Sequence, residues 1–433
     1  MNAKQGHPEF LRLIFSDLLG HMRSYEVGID QLDDVLENGI VMDGSSVPGY
    51  ASINESDVLL LSLSATPTPQ PWDPAAAFLL CGIHETSGKP HPRDPRNILD
   101  KMISKATKRE FQLMIGSELE FFTIRRQSDD SIMPLDSGGY FSSRPIDSEL
   151  DFRRDIVRTF NAVGIPTTSH HHEVARGQHE VGLQYTTAAT AADHILLGRQ
   201  IILEMASMRG FDVTFMPKPF TDQNGSGLHL HQSIWETGGS RNLFASKGNG
   251  ELSPMAINYV AGLLEHASSL IALLAPTVNS YKRLVPGFEA PTRIAWGYRN
   301  RSTMIRVPHF NGSERAARIE LRCPDTTISP HLAIAAILAA GLDGIERTLD
   351  PSEPTTANLY KSASDIESLP GTLRESLSLL DESHFMRSEL GDSLVDTLVS
   401  IRMHEWEDYV KANGDPHSIE VSSWELNRYL HAN

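Results

Sequence analysis

The stretch from His170 to Tyr185, HHHEVARGQHEVGLQY, constrains the fold of this chain more than any other. Polar and apolar residues alternate on either side of a turn at Ala175-Arg176-Gly177-Gln178, which is the pattern of a β-hairpin. A turn symmetric about Arg176 and Gly177 sets Glu173 directly opposite Glu180. Like charges facing across a ladder destabilise it unless a counter-charge lies between them, and a divalent cation supplies one. The hairpin therefore predicts a metal-bearing face on a sheet.

Three further stretches place two polar groups at i and i+2, hence on one face of a strand. They are Glu118-Leu119-Glu120 in IGSELEFFTI, His229-Leu230-His231 in GLHLHQSIW and Glu320-Leu321-Arg322 in ARIELRCP. Any one alone reads as a half-solvated strand. Four together predict a curved antiparallel sheet with a polar concave side, and the interleaved helical stretches predict helices packed on the convex side.

At 433 residues the chain is long enough for two or three domains and a large core. Its two cysteines, Cys81 and Cys323, lie far apart without metal-ligand spacing, so buried thiols in a reducing, cytoplasmic compartment are expected rather than a disulfide framework. The longest apolar run, HLAIAAILAAGL from His331 to Leu342, falls short of the roughly 20 residues a bilayer requires, and no signal peptide is recognised. Neither a membrane nor, at a formal charge of −17, nucleic acid is expected as a partner.

Up to about Arg96, short strand signals (LRLIF, HMRSYEVGI, VLLLSL, AAFLLCGI) alternate with turns around one helical piece, Ile29 to Asn38, as in a small α+β domain. It contains a Gly/Ser/Asp-rich loop, Met42 to Asp57. Prolines at 90, 92 and 95 precede an amphipathic helix, Asn97 to Lys108, which sets a domain boundary: residues 1–95 and 96–433. Beyond a loop from Arg125 to Ser137, helices are expected at Ser148–Val163, Ala191–Arg209, Ser253–Leu274 and Pro330–Leu349.

An arginine run at 283, 293, 299, 301, 306, 315, 318 and 322 stands out in so acidic a chain. The planar guanidinium binds carboxylate or phosphate bidentately and stays charged in any site. Turn residues in YKRLVPGFEAP and RNRSTMIRVP place these arginines on loops and strand ends, where function concentrates. Carboxylates for metal beside guanidiniums for phosphate suit phosphoryl transfer.

With GSELEFF, HHHEVARGQHEV, MPKPFTDQNGSGLHLH, NSYKRLVPGFEAP, RNRSTMIRVP and ARIELRCPD in this order, and MDGSS and INESD upstream, the chain resembles the short form of the class I, bacterial-type glutamine synthetase family from about Phe15 to its end. The resemblance implies an α+β fold: a small β-grasp-like N-terminal domain, and a catalytic domain with a curved antiparallel sheet, flanking helices and a helical C-terminal region. It implies ATP and two or more Mg²⁺ or Mn²⁺ ions per site, and a homo-oligomer, a dodecamer of two hexameric rings with sites between subunits. Glu120, Glu173 and Glu180 would hold one ion, and Glu118, His229 and Glu320 the other. Arg283 and Arg322 would grip glutamate, with Asn224 and Gly225 near its backbone end, and Arg301 would steady the phosphoryl group. His231, Ser233, Arg306, Arg315 and Arg318 would surround the nucleotide. Glu289 matches a flap carboxylate. Asp43 and Ser46 would come from the adjacent subunit, Asp43 helping to deprotonate ammonium, and the ammonium pocket would comprise Asp43, Tyr140 and Glu173 with Ser46 nearby.

The family's chemistry activates glutamate as a γ-glutamyl phosphate that ammonia attacks to give glutamine. The same glutamate, ATP and metal residues serve ligation to an organic amine or polyamine, the alternative acceptor. A pseudo-enzyme is disfavoured, because the ligands and arginines are all kept. Thr168 stands where the family commonly has a glutamate, which changes the adenine end. Ser52 stands where short Gram-positive-type enzymes carry an arginine linked to glutamine feedback, a control not expected here. Tyr360 falls at the position adenylylated in longer enterobacterial-type enzymes, whose characteristic insertion is missing.

Overall fold

The computed structural model describes residues 7–128, 131–246, 251–310, 312–361 and 365–431. Near the N-terminus, Phe10–Ser16 pairs antiparallel with Met22–Gly28 and parallel with Ala76–Glu85, and the sheet continues through Asp57–Ser62 to Ile40–Asp43. Alternation along Phe10–Ser16 divides its side chains. Leu11, Leu13 and Phe15 join Val35 and Tyr50 in a small local core, whereas Ile14 joins the main core. The expected helical piece is a 3₁₀ turn, Ile29–Gln31, running into a helix, Leu32–Asn38. The polar loop after it is shorter than its composition suggests, because Met42 and Asp43 end one strand and Asp57 begins the next.

The helix expected from Asn97 starts two residues earlier, Pro95–Thr107. The Asp94 side chain caps it by accepting from the Arg96 N–H, and Pro95 occupies the first turn, where no N–H is needed.

The second sheet has nine strands. Its path runs Trp296–Tyr298, Ile305–Val307, Ile319–Leu321, Leu228–Glu236, Phe111–Arg126, Gln178–Thr187, Thr167–His172. Every pairing is antiparallel except Trp296–Tyr298 with Ile305–Val307, which is parallel. All four stretches with paired polar residues thus meet in one sheet. Their alternate residues, Leu119, Phe121, Val181, Leu228, Leu230, Ile319 and Leu321, are fully buried in the main core.

Two features of the helical layer depart from expectation. The single helix Ser253–Leu274 is two helices, Pro254–Glu265 and Ala267–Leu274, bent by 79°. His266 sits at the bend, with Nε2 2.8 Å from an Asp343 carboxylate oxygen and its ring stacked on Phe385 at 3.9 Å. Among the described residues no single helix is long and apolar enough to cross a membrane; the bent pair has the composition, but lies mostly in the core. The second feature is the close crossing of Pro254–Glu265 with Pro330–Arg347, which is made by glycine. A Cβ on Gly344 would lie 2.2 Å from the Asn258 carbonyl oxygen, and one on Gly341 2.0 Å from the Tyr259 ring. Backbone cannot move aside as a flexible side chain can. Gly344→Ala should therefore destabilise the protein by about 1–3 kcal/mol through overpacking, read as a lower denaturation midpoint; an unchanged midpoint would show that the two helices can separate freely.

Candidate active site

Strand register builds the site. On Phe111–Arg126, Glu118 lies opposite His229 on one neighbour, and Glu120 lies opposite Glu180 on the other. Glu320 lies between His231 and Arg306. The hairpin is where the sequence expectation fails. Glu180 pairs with His171, and Glu173 donates its N–H to the Gln178 carbonyl, so Glu173 and Glu180 are not directly opposite. The cause is the turn: Gly177 takes φ +66° and the Gln178 N–H closes onto the Ala175 carbonyl, moving the register by two residues. A shift of two keeps every side chain on its face, so both carboxylates still point into the same space.

That space is a cleft of about 790 Å³ with six carboxylates on its walls, Glu118, Glu120, Glu173, Glu180 and Glu320 together with Glu289. Arg283, Arg301, Arg306 and Arg322 line it too, as do Asn224, Gly225, Tyr140 and Phe141. Two sets of possible ligand atoms each lie within 4.8 Å of one another. One is the expected Glu118, His229 and Glu320. The other is His171, Glu173 and Glu180, with His171 where Glu120 was expected. His171 Nε2 is 3.1 Å from Glu180, while Glu120 accepts from the Gly227 N–H at 2.8 Å and the Gln178 amide at 3.1 Å. Carboxylate-rich sets with imidazole suit Mg²⁺ or Mn²⁺. In a third group, Asp136, His172 and His179, the possible ligand atoms also lie within 4.8 Å of one another. It does not suit a cation: the Arg153 guanidinium lies against His179 Nδ1 at 2.7 Å, and Thr123 takes its Nε2 at 3.1 Å.

The carboxylates divide electrostatically. Burial, then the charges of Glu173 and Glu180, pushes Glu120 well above the ordinary carboxylate range. Burial, then Glu118 and Glu173, does the same to Glu180. Burial also opposes ionisation of Glu118 and Glu320, but hydrogen bonds from His229 and His231 hold Glu118 well below its usual value, and Arg322 leads in holding Glu320 at about 2.

A second cavity, about 420 Å³, adjoins the first at Glu118 and Ser169. His231, Ser233, Arg315 and Arg318 line it, as does Thr168. Tyr185 stacks near Trp235 at 6.1 Å, and Arg315 lies over the Trp235 ring at 5.3 Å. Arg306, expected with this group, lines the larger cleft instead.

Not every expected arginine serves the site. Arg293 donates to the Ile366 carbonyl at 3.0 Å and also bonds Ser368. Arg283 lines the cleft, yet its guanidinium donates to the carbonyls of Cys323, Pro324 and Arg322. Arg283 lies within a short helix, Ser280–Arg283, and Arg306 within a strand, rather than on loops. Glu289, at φ +57°, accepts from the Asn224 amide at 3.0 Å. Tyr360 donates to the Arg301 carbonyl at 2.9 Å, and residues 362–364 beside it in the ANLYKSASD stretch lie outside the described residues. Asp43, which ends a strand of the N-terminal sheet, and Ser46, in the turn after it, are exposed and line neither cavity; Asp43 accepts from Ser45. Sequence reasoning passed over His171, although its position two residues before Glu173 puts it on the same face. Gln178 carried no such signal.

The raised carboxyls fix a sign. Glu120 and Glu180 bind protons more readily folded than unfolded, so stability is greatest below the ordinary value of 4.5 for these two groups and is lost as pH rises through their raised values. A divalent ion binds the deprotonated forms and reverses the trend. The thermal midpoint of chelated protein should fall as pH rises above 4.5, and added Mg²⁺ should restore it with proton release; a midpoint flat in pH with and without Mg²⁺ would contradict this assignment.

Comparison with known proteins accords with this geometry. Residues 7–86 match the "Glutamine synthetase, beta-Grasp domain" model and residues 92–429 the "Glutamine synthetase, catalytic domain" model. A glutamine synthetase of Methanocaldococcus jannaschii is 39% identical over 99% of this chain and 96% of its own length, and one of Pyrococcus abyssi is 39% identical over 98% and 97%. A solved structure described as "GmaS/ADP complex-Conformation 1" superposes with a TM-score of 0.87 at 31% identity, covering 99% of this chain and 98% of that one. A β-grasp domain followed by a catalytic sheet with this carboxylate and arginine cleft, matched over nearly the whole length, means that the chain belongs to the glutamine synthetase family of ligases.

Proposed function

We propose that this protein is an ATP-dependent glutamate–ammonia ligase that forms glutamine through a γ-glutamyl phosphate. The observation that carries the reading is the junction at Glu118 between a cleft of six carboxylates and four arginines and a second cavity lined by Arg315 and Arg318. One accommodates an amino acid and its activated carboxyl, the other a nucleotide. Relatives named glutamine synthetase over the full length favour ammonium as acceptor.

In this reaction an oxygen of the glutamate γ-carboxylate attacks the γ-phosphorus of ATP and the bond to ADP breaks. Ammonia nitrogen then attacks the acyl carbon, and the C–O bond breaks to release phosphate. Arg322, with Arg283, Asn224 and Gly225 behind it, binds glutamate; Arg301 and Arg306 face the phosphoryl group; His231, Ser233, Arg315 and Arg318 hold the nucleotide. Glu118, His229 and Glu320 would hold one divalent ion and Glu173 and Glu180, with Glu120 beside them, the other; when bound, the ions neutralise charge between phosphates and carboxylate. Glu289, which lines the cleft, would exclude water from the acyl phosphate when its loop closes. A cage of carboxylate and ring, Glu173, Tyr140 and His171, favours a small cation, whose proton must be lost before attack.

Two similar solved structures carry the name GmaS, and a second reading, in which the acceptor is a small organic amine, stays open beside the first. The discriminating element is Tyr140, whose ring stacks on Phe141 at 4.0 Å and meets His171 edge-on at 5.6 Å. One extra methyl in such a pocket is worth only about 1–3 kcal/mol. Ammonium should therefore give the highest kcat/KM in an amine panel followed by ADP release, methylamine a slower reaction and polyamines almost none. Tyr140→Ala should raise turnover with methylamine relative to ammonium. Preference of the wild-type enzyme for any alkylamine at equal free-base concentration would transfer the assignment to the second reading.

Asp43 and Ser46 reach the site on this reading only from a neighbouring subunit, in a dodecamer of two hexameric rings. An inactive Asp43→Ala chain reassembled with an inactive Glu120→Ala chain should regain part of the wild-type rate, since some interfaces then pair two intact halves. A fully active monomer in solution would sink the shared site.

A further inference from the structure

Behind the cleft wall, and lining neither cavity, lies the carboxyl of Asp136, its side chain only 3% exposed. One oxygen, Oδ1, accepts from the Gly177 N–H at 2.9 Å in the hairpin turn and from the Gly138 N–H at 3.2 Å. The same oxygen is 2.9 Å from His172 Nε2. His172 Nδ1 in turn lies 2.7 Å from the Glu173 carbonyl oxygen, and the Phe141 N–H donates to the His172 carbonyl at 3.1 Å. Three pieces of chain thus converge on one atom: the hairpin turn, the residue before Glu173, and the loop that carries Tyr140 and Phe141.

The convergence leaves no slack. A Cβ on Gly138 would sit 2.5 Å from His172 Nε2, so the loop lies flush against the imidazole. On its other side the imidazole meets the His179 ring edge-on at 4.9 Å. His179 is itself held by Arg153, which is paired with buried Asp147. His172 is therefore wedged between the aromatic loop and a braced neighbour, and Asp136 locks the wedge.

We propose that Asp136 is a positioning residue for amine selection: through His172 and Gly138 it sets how far the Tyr140–Phe141 pair stands from the Glu173–Glu180 pair, without touching the amine. The proposal rests on the amine-ligase reading above. Its physical basis is that groups behind a ligand shell hold ligands and neighbouring loops in register, and that displacements of about 1 Å are costly in a site of this kind.

The test compares Asp136→Ala, Asp136→Asn and Gly138→Ala in the full-length protein. Mn²⁺ titration of chelated protein, followed by electron paramagnetic resonance, reads the hairpin; KM values for amine, glutamate and ATP, with the methylamine-to-ammonium ratio of kcat/KM, read the loop. Asp136→Ala should weaken one class of Mn²⁺ site by about 10- to 100-fold. It should also raise the KM for ammonium and shift the amine ratio toward methylamine, with the KM for ATP little changed. Asp136→Asn, which keeps one oxygen acceptor, should recover part of both. Gly138→Ala pushes the loop off His172 and should shift the amine ratio while leaving Mn²⁺ binding near wild type; it also decides the matter should Asp136→Ala fold poorly. An unmoved amine ratio in Asp136→Asn and Gly138→Ala, or equal changes in all three KM values, overturns the proposal. If wild-type protein ligates no amine, the functional reading fails and selection by Asp136 falls with it, while the Mn²⁺ titration separately shows whether Asp136 orders the hairpin.

Discussion

Mutual repulsion among carboxylates gathered in one cleft, three of them buried, is the constraint on which this structure depends. Glu118, Glu120, Glu173, Glu180 and Glu320 share one sheet face, and isolated buried charges of one sign are costly. The chain offsets that cost in two ways. Arg322 and Arg306 each pair with Glu320, and His229 and His231 each take one oxygen of Glu118. Neither Glu120 nor Glu180 pairs with an arginine among the described residues, although His171 lies 3.1 Å from Glu180, and burial with the neighbouring carboxylates raises both well above the ordinary carboxylate range. A site built this way prefers a divalent ion to protons as pH rises.

Rigidity on the other face is what keeps the carboxylates together. The alternate residues of the same strands pack into a continuous apolar core beneath helices such as Pro330–Arg347, whose glycines let it approach Pro254–Glu265 closely. The sheet therefore cannot relax by moving its strands apart, and the electrostatic strain stays in the cleft. Hydrophobic burial in the helical layer and affinity in the cleft are two ends of one arrangement.

Period-two patterning made the site legible before any coordinates, because it assigns faces. Glu118 with Glu120, His229 with His231, and Glu173 with Glu180 all share the face their spacing predicts. Register was not legible, since it depends on a positive φ at Gly177 and a hydrogen bond from Gln178 that no periodicity encodes. The bend at His266 was hidden for a related reason: its partners Asp343 and Phe385 lie far away in sequence. Among the arginines, type and neighbourhood marked the cluster, but only tertiary contacts separate Arg293, committed to the 366–368 segment, from Arg322 in the cleft.

Glu118 is the carboxylate that joins the two cavities. It lines both cavities, so on the proposed function a phosphoryl group passing from a nucleotide in the smaller to a carboxylate in the larger crosses the wall that Glu118 forms. A bare carboxylate there would repel the passing phosphate. Its two oxygens are instead occupied by His229 at 2.8 Å and His231 at 2.8 Å, and Arg318 lies 3.3 Å from the far nitrogen of His231. The negative wall is thus covered by donors that tie it to both compartments. On the proposed function, Glu118 organises hydrogen-bond donors along the path of the phosphoryl group, and His231 joins the nucleotide side to the metal-binding side through a single imidazole.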